Sequence, residues 1–273
     1  MSREIITSRQ NPTVKLVCSL LRKKEREETG LFRFDGIKLL GEAIEKDVAI
    51  EFVLVDETKV AILEEKLACV ERVIVVPNEL FAKMSDEKSP EGVITVAKAL
   101  DKINKIATIN NKSQFLGLPD EGDRVLILES VRDPGNLGTV IRSAAALGID
   151  RLVISSDCAD LYNPKTIRAA MGAIFSMTID VVEKGELCTY ISELREAHRR
   201  VFAAALHSEA LMLGDFEVRR SDVFVIGNEG HGLTEEVKSA CNACVLIPMR
   251  EGSESLNAAM AAGIFMWETA RAK

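Results

Sequence analysis

Residues 223–233 read VFVIGNEGHGL and residues 245–267 read VLIPMREGSESLNAAMAAGIFMW, so two short apolar strands each run directly into a turn of small and polar residues. In α/β proteins such strand ends are where ligands sit. After Val223–Ile226, Gly227 and Gly230 let backbone approach a ligand closely, while Asn228 and Glu229 supply an amide and a carboxylate. The loop after Val245-Leu246-Ile247 ends in Ser255-Leu256-Asn257, which opens a final helix, with Ser255 or Asn257 expected as its cap.

A third turn of this kind lies upstream. The strand Val125–Leu128 leads into the turn Asp133-Pro134-Gly135-Asn136-Leu137-Gly138, then a helix over Thr139–Leu147 that Gly148 closes. Between these markers, strands at 151–154, 177–182 and 201–206 alternate with helical segments at 164–172 and 186–199. Such alternation implies a mostly parallel sheet covered by helices. The turn lacks GxGxxG, which disfavours a nicotinamide dinucleotide site. Asn136 and Arg142, six apart, are both expected to face the crevice at the strand ends.

At 273 residues the chain exceeds one average domain of roughly 100–200 residues. Upstream of the parallel domain, the helical pattern at 11–28 is stopped by Gly30, an alternating strand follows at 31–34, and a helix runs over 37–46. Strands at 51–55, 72–76 and 92–96 complete a small α/β domain over residues 1–97. Residues 98–122 are polar and rich in breakers, and read as a linker before a second domain at 123–273.

With 47% hydrophobic and 28% charged residues, composition is that of an ordinary globular protein. No apolar run has the length of a signal peptide core or a membrane span, so a cytoplasmic protein without a membrane partner is expected. Six scattered cysteines suit reduced thiols; Cys241 and Cys244 lack a second pair at metal-binding spacing, and His198, His207 and His231 form no HExxH, so no metal is expected. The net charge of −7 argues against broad affinity for nucleic acid, yet residues 1–40 carry +4 and leave −11 for the rest. The basic face at Arg22, Lys23, Lys24 and Arg26 is a candidate phosphate-docking surface, the alternative being a solvated helix face.

Three motifs in this order, DPGNLGTVIRSAAALG at 133–148, FVIGNEGHGL at 224–233 and IPMREGSESLNAAMAAGI at 247–264, resemble the SpoU (TrmH-like) family of RNA ribose 2′-O-methyltransferases. The segment from Ser8 to Ile44 is similar to that family's substrate-binding domain. The resemblance implies an S-adenosylmethionine site on a C-terminal trefoil knot, with Gly227, Asn228, Ile247, Leu256 and Asn257 holding the cofactor. It implies catalytic roles for Arg142, Asn136, Glu229, Ser255 and Asn257 and a homodimer, and RNA is then the phosphate partner expected at the basic residues Arg22, Lys23 and Lys24. Ribosomal RNA is favoured by the appended N-terminal domain; tRNA, or an inert RNA-binding ribosome-associated protein, are the alternatives, and no DNA partner is expected. The sequence departs from the family pattern at Glu251 and Gly252, where the motif glycine falls three rather than two residues after Met249, at Asp35 in place of Glu, and at Ala170 in place of Ser.

Overall fold

The runs Val125–Leu128 and Val223–Ile226 lie side by side as parallel strands, with Leu126 opposite Phe224 and Leu128 opposite Ile226. All eight of their residues are buried, as expected for the centre of a parallel sheet covered on both faces. The computed structural model describes residues 3–106, 117–250 and 255–272. Two compact units emerge: Met1–Asp101 with Asp160–Phe175, and Lys102–Ala159 with Ser176–Lys273.

The first unit contains, in order, β1 (Glu4–Ile5), α1 (Pro12–Ser19), α2 (Lys23–Thr29), β2 (Leu31–Asp35), α3 (Ile37–Glu45), β3 (Ile50–Asp56), α4 (Glu64–Leu67), β4 (Val73–Val76), α5 (Asn78–Met84) and β5 (Val93–Lys98). Its sheet has the order β1-β4-β3-β5-β2, with β5 antiparallel to both its neighbours. The single helix expected over 11–28 is two helices. Arg22 adopts extended backbone between them, and the Arg26 guanidinium turns inward to donate to the Leu20 carbonyl at 2.7 Å. Arg26 is therefore buried and paired with Asp160, not exposed with Arg22, Lys23 and Lys24. Each of those three faces a glutamate of α2: Arg22 with Glu25 at 3.0 Å, Lys23 with Glu27 at 4.0 Å and Lys24 with Glu28 at 3.6 Å.

Asp35 is bound to buried Arg33 at 2.6 Å and accepts from the Ser85 hydroxyl at 2.8 Å. Burial pushes its carboxyl up despite the opposing guanidinium. Arg33 also donates to the Met84 carbonyl at 2.7 Å, so the shorter Asp side chain completes an internal network at this position.

The second unit continues with β6 (Ile103–Ile106), β7 (Val125–Leu128), α6 (Pro134–Ala146) and β8 (Arg151–Ser155). The chain then contributes α7 (Pro164–Ala170) to the first unit. It returns for β9 (Thr178–Val182), α8 (Leu187–Glu196), β10 (Val201–Ala204), β11 (Leu211–Met212), β12 (Val223–Ile226), α9 (Glu235–Ala240), β13 (Ala243–Leu246) and α10 (Ala258–Arg271). The sheet order is β11-β13-β10-β12-β7-β8-β9-β6, and its strand pairs are parallel. The chain lays down β7, β8 and β9 in one direction and then reverses to the other side of β7, which makes the β7/β12 junction a topological switch point.

Three features depart from the sequence reading. The supposed linker at 98–122 holds β6, which pairs with β9 through residues such as Ile103 opposite Ile179. Four residues with no strong alternation carry too little signal to be read as an edge strand. The turn at 133–138 is the opening of α6: Asp133 is its N-cap, accepting from the Asn136 N–H at 2.8 Å, and Pro134 takes the first position, where a missing N–H costs nothing. The segment Asp160–Phe175, expected in the second domain, packs in the first unit. Tyr162 meets Phe32 with centroids 4.6 Å apart, and Phe175 meets Phe34 at 5.2 Å. The fully buried Ala170 leaves no hydroxyl to satisfy there.

Phe34 is 1% exposed at the centre of this aromatic group. Phe34→Ala should cost about 3–5 kcal/mol, read by urea unfolding, and should release the amides of 160–175 to hydrogen exchange before those of β7 and β12. Equal loss of protection in both units would show that the segment is not anchored by this ring.

Candidate active site

The loops that follow β7, β12 and β13 meet in the second unit beside the switch point. Asp133 caps α6 and thereby fixes Asn136 at its first turn. Asn136 Nδ2 donates to Glu229 Oε1 at 2.8 Å, and Asn257 Nδ2 donates to Asn136 Oδ1 at 3.0 Å. One chain of amides and a carboxylate thus joins three segments, with Asn136 separated by 93 residues from Glu229 and by 121 from Asn257. Asn257, not Ser255, is the cap of α10: its Oδ1 accepts from Ala259 N at 2.9 Å and Met260 N at 3.3 Å. One amide group therefore both starts a helix and orients Asn136.

Asn228 closes its own loop. Its backbone exchanges hydrogen bonds with Gly232 at 3.0 and 2.9 Å, and its Oδ1 accepts from Gly230 N at 2.8 Å and His231 N at 3.2 Å. Gly227 is required by this closure. A Cβ there would stand 2.4 Å from the Gly232 carbonyl carbon and 2.5 Å from Leu233 N, both backbone atoms that cannot give way.

The loop walls a cavity of about 340 Å³, within the range of roughly 300–1,000 Å³ usual for small-molecule sites. Gly227, Asn228, Glu229, Ile247, Ser255 and Leu256 line it, together with apolar Ile226, Leu246 and Phe265. Asn257 does not line it, and its amide donates to Asn136 instead. Lys238 and His231 also line the cavity and were passed over in the sequence. Lys238 lies in the short helix after the motif, where its 2.6 Å pair with Glu235 resembles an ordinary surface pair. Arg142 does not line the cavity. It is exposed on α6 beside Thr139, opposite the buried face formed by Leu137, Val140, Ile141 and Ala144, and makes no ion pair or hydrogen bond with a described residue. Six residues along a helix turn a side chain by about two thirds of a revolution. Asn136 and Arg142 therefore face different directions, contrary to the shared crevice face read from the sequence.

Under the loop lies Asp157, which accepts from Ser130 Oγ at 2.7 Å, Ser155 Oγ at 2.7 Å and Lys184 Nζ at 2.9 Å. Burial pushes its carboxyl up, but these hydrogen bonds and one from Arg132 outweigh it, and the group sits well below the usual carboxylate range. Cys241 is buried and its thiol is pushed up to about 12 by that burial, which keeps it protonated at neutral pH. The departure at Glu251 and Gly252 lies outside the described residues.

Residues 123–267 match the model of the SpoU rRNA Methylase family, and residues 11–95 match that of the MRM3-like substrate binding domain. The chain belongs to the SpoU methylase family. Among its relatives is the 23S rRNA (guanosine(2553)-2′-O)-methyltransferase RlmP of Bacillus subtilis, 32% identical over 266 residues that cover 96% of this chain and 97% of the relative. The 23S rRNA (uridine(2479)-2′-O)-methyltransferase of Streptomyces viridochromogenes is 28% identical, over 97% of this chain and 91% of its own. The crystal structure of AdoMet-bound rRNA methyltransferase from Sinorhizobium meliloti is similar, with a TM-score of 0.80 and 27% identity over 98% of this chain and 97% of that one. All three are similar to this SpoU methylase chain along nearly its whole length.

Gly227→Ala should lower stability by about 1–3 kcal/mol through overpacking against backbone. Gly230→Ala, whose Cβ would meet only Asn228 Oδ1 at 3.5 Å, should stay within about 0.5 kcal/mol. Denaturant titration of the two variants distinguishes a glycine needed by the loop itself from one that is not.

Proposed function

We propose that this chain transfers a methyl group from S-adenosylmethionine to a ribose 2′-hydroxyl of ribosomal RNA. The observation that carries the reading is the hydrogen-bonded chain Glu229–Asn136–Asn257, which ties the three family motifs together at the wall of one cavity. The donor set suits the cofactor. Apolar Ile226, Leu246 and Leu256 fit an adenosine face, and the folded loop after β12 brings backbone groups to the same wall. Gly227, Asn228, Ile247 and Leu256 would hold it there.

Bound there, S-adenosylmethionine supplies a methyl carbon already activated by its sulfonium leaving group. What the protein adds is alignment of two reactants and exclusion of water. Asn136, held from both sides, keeps the Glu229 carboxylate at a fixed position on the cavity wall. Asn257 transmits the position of α10 to the same point. Ser255, at the start of this turn, faces the cavity and limits where the ribose can lie. Arg142 serves as an orienting cation rather than a base, since a guanidinium offers N–H donors and no acceptor. Its planar fork, unpaired among the described residues, is suited to a phosphate next to the reacting ribose.

The first unit is the RNA-binding part of this reading, with Arg22, Lys23 and Lys24 as contacts. Their exposed pairs with glutamates are worth only about 0.3–0.5 kcal/mol each, so exchange of a carboxylate for a phosphate costs little. The reading includes a homodimer, supported by the exposed Met260 and Trp267 on α10, and a knotted C-terminal course, supported by the packing of α10 on α6 and β12. No helix of the described residues is long and apolar enough to cross a membrane, and a cytoplasmic enzyme is part of the proposal.

Incubation with labelled S-adenosylmethionine and separated RNA pools should place label in ribosomal RNA, at a ribose whose 3′ bond resists alkali. In single turnover with saturating RNA, Arg142→Ala should lose at least about a hundredfold in rate, roughly 2.7 kcal/mol, with cofactor affinity and thermal stability retained. Arg142→Lys should recover little. A near-normal rate for the alanine variant would remove Arg142 from the mechanism.

Changing Arg22, Lys23 and Lys24 together to Ala should weaken RNA binding without altering cofactor affinity. Each lost phosphate contact should reduce the log–log salt slope by roughly 0.7–0.9. An unchanged slope would leave the three residues as a solvated helix face.

A further inference from the structure

Glu129 and Ser130, the first two residues after β7, hold no place among the motif residues and do not line the cavity. Both are nearly buried, at 2% and 6% exposure. The Glu129 backbone extends the strand pairing by donating from its N–H to the Ile226 carbonyl at 2.8 Å. Its carboxylate then spans the loop that leaves β12. One oxygen accepts from Thr234 N at 2.9 Å and the other from Thr234 Oγ1 at 2.7 Å. Thr234 is the N-cap of α9, so the far end of the loop is held at a helix start.

Ser130 holds the near end. Its carbonyl accepts from Asn228 Nδ2 at 2.8 Å, and Asn228 is the residue that folds the loop on itself. To aim that carbonyl, Ser130 takes a left-handed backbone with φ 55°, a conformation that side chains other than glycine rarely adopt. The surroundings impose it: Ser130 N donates to Ser155 Oγ at 2.8 Å, and Ser130 Oγ is fixed by Asp157 and Lys184, the latter at 3.1 Å. Strain of this sort persists only where neighbours over-determine it.

We infer that Glu129 and Ser130 are positioning residues that set the cofactor-binding loop 227–234 in its productive shape from both of its ends, without touching the cofactor. This rests on the function proposed above and deepens it. Glu129 secures Thr234 with two charge-assisted hydrogen bonds, and Ser130 secures Asn228 with a carbonyl held by strain. The bonds within the loop, between Asn228 and Gly232 and from Gly230 and His231 to Asn228, shape it locally, and these two anchors attach that shape to β7, where Glu229 meets Asn136. The effect of loosening it falls on cofactor affinity, since a loop that must be ordered at binding lowers the apparent affinity by the fraction of time it is disordered.

Glu129→Gln is isosteric but places an NH2 where Thr234 presents a donor. It should raise the Kd for S-adenosylmethionine by about tenfold in calorimetric titration, the equivalent of 1.4 kcal/mol. With in vitro transcribed 23S rRNA as substrate, KM for the cofactor should rise in step, while kcat and KM for RNA stay within about threefold. Ser130→Val, which keeps the carbonyl but resists the left-handed backbone, should weaken binding at least about fivefold more than Ser130→Gly, which accepts it. Hydrogen exchange should quicken at amides 228–234 in Glu129→Gln and not in β7 or β12. Normal cofactor binding by Glu129→Gln beside normal binding by the unaltered protein would overturn this inference alone. A uniform loss across kcat and both KM values would overturn it in favour of a general folding role. Failure of the unaltered protein to bind the cofactor would overturn the proposed function and this inference with it.

Discussion

Strands β7 and β12 leave the sheet at the same level, and the rest of the site depends on that shared exit. The register that sets Leu128 opposite Ile226 means the next residue of each strand enters its loop beside the other. Every polar link across the site then follows over short distances: Asn136 to Glu229, Asn228 to the Ser130 carbonyl, Thr234 to Glu129. In a parallel sheet a slip of two residues would move the pairing by nearly 7 Å, which is more than twice the length of a hydrogen bond. The buried β-branched residues Val125, Ile127, Val223 and Val225 hold the register by filling one contiguous core with Leu187, Ile191 and Leu194 of α8.

The two central strands were legible because a buried strand is a run of apolar residues bounded by turn formers, and both runs matched to the residue. The cavity residues Gly227 and Asn228 were legible because small and polar residues directly after such a run have few other uses, whereas the apolar Ile247 and Leu256 were marked only by the resemblance of their motif to the family. What the sequence concealed is of a different kind. Arg26 reads as one more cation on a basic helix, and only the folded chain brings Asp160 and the Leu20 carbonyl to it. DPGNLG reads as a turn because it contains proline and two glycines, yet a proline at the first helical position with Asp before it is equally a helix start. Glu129 and Ser130 went unread because nothing local distinguishes a carboxylate that reaches across to another strand's loop from one that meets water.

The N-terminal charge shows how a composition argument can overstate a surface. Nine cations among the first 40 residues suggested a phosphate-binding face. Folding withdraws Arg33 and Arg26 from the surface altogether and sets a glutamate against each of Arg22, Lys23 and Lys24. Any attraction for RNA from α2 is therefore short in range and sensitive to salt, because at about 8 Å of screening length the paired charges largely cancel. Recognition by such a surface rests on shape and on exchange of partners at contact, not on a field that reaches far into solution.

The excursion of Asp160–Phe175 into the first unit bears on the order in which the protein can be made. A domain encoded by one continuous segment can close as soon as its last residue leaves the ribosome. Here Phe32 and Phe34 pack against Tyr162 and Phe175, residues made only after β6, β7, α6 and β8. At about 5–20 residues per second, the gap between Asp101 and Phe175 keeps those rings exposed for roughly 4–15 seconds. The aromatic contacts of β2 are thus completed well after β1 to β5 have all been made.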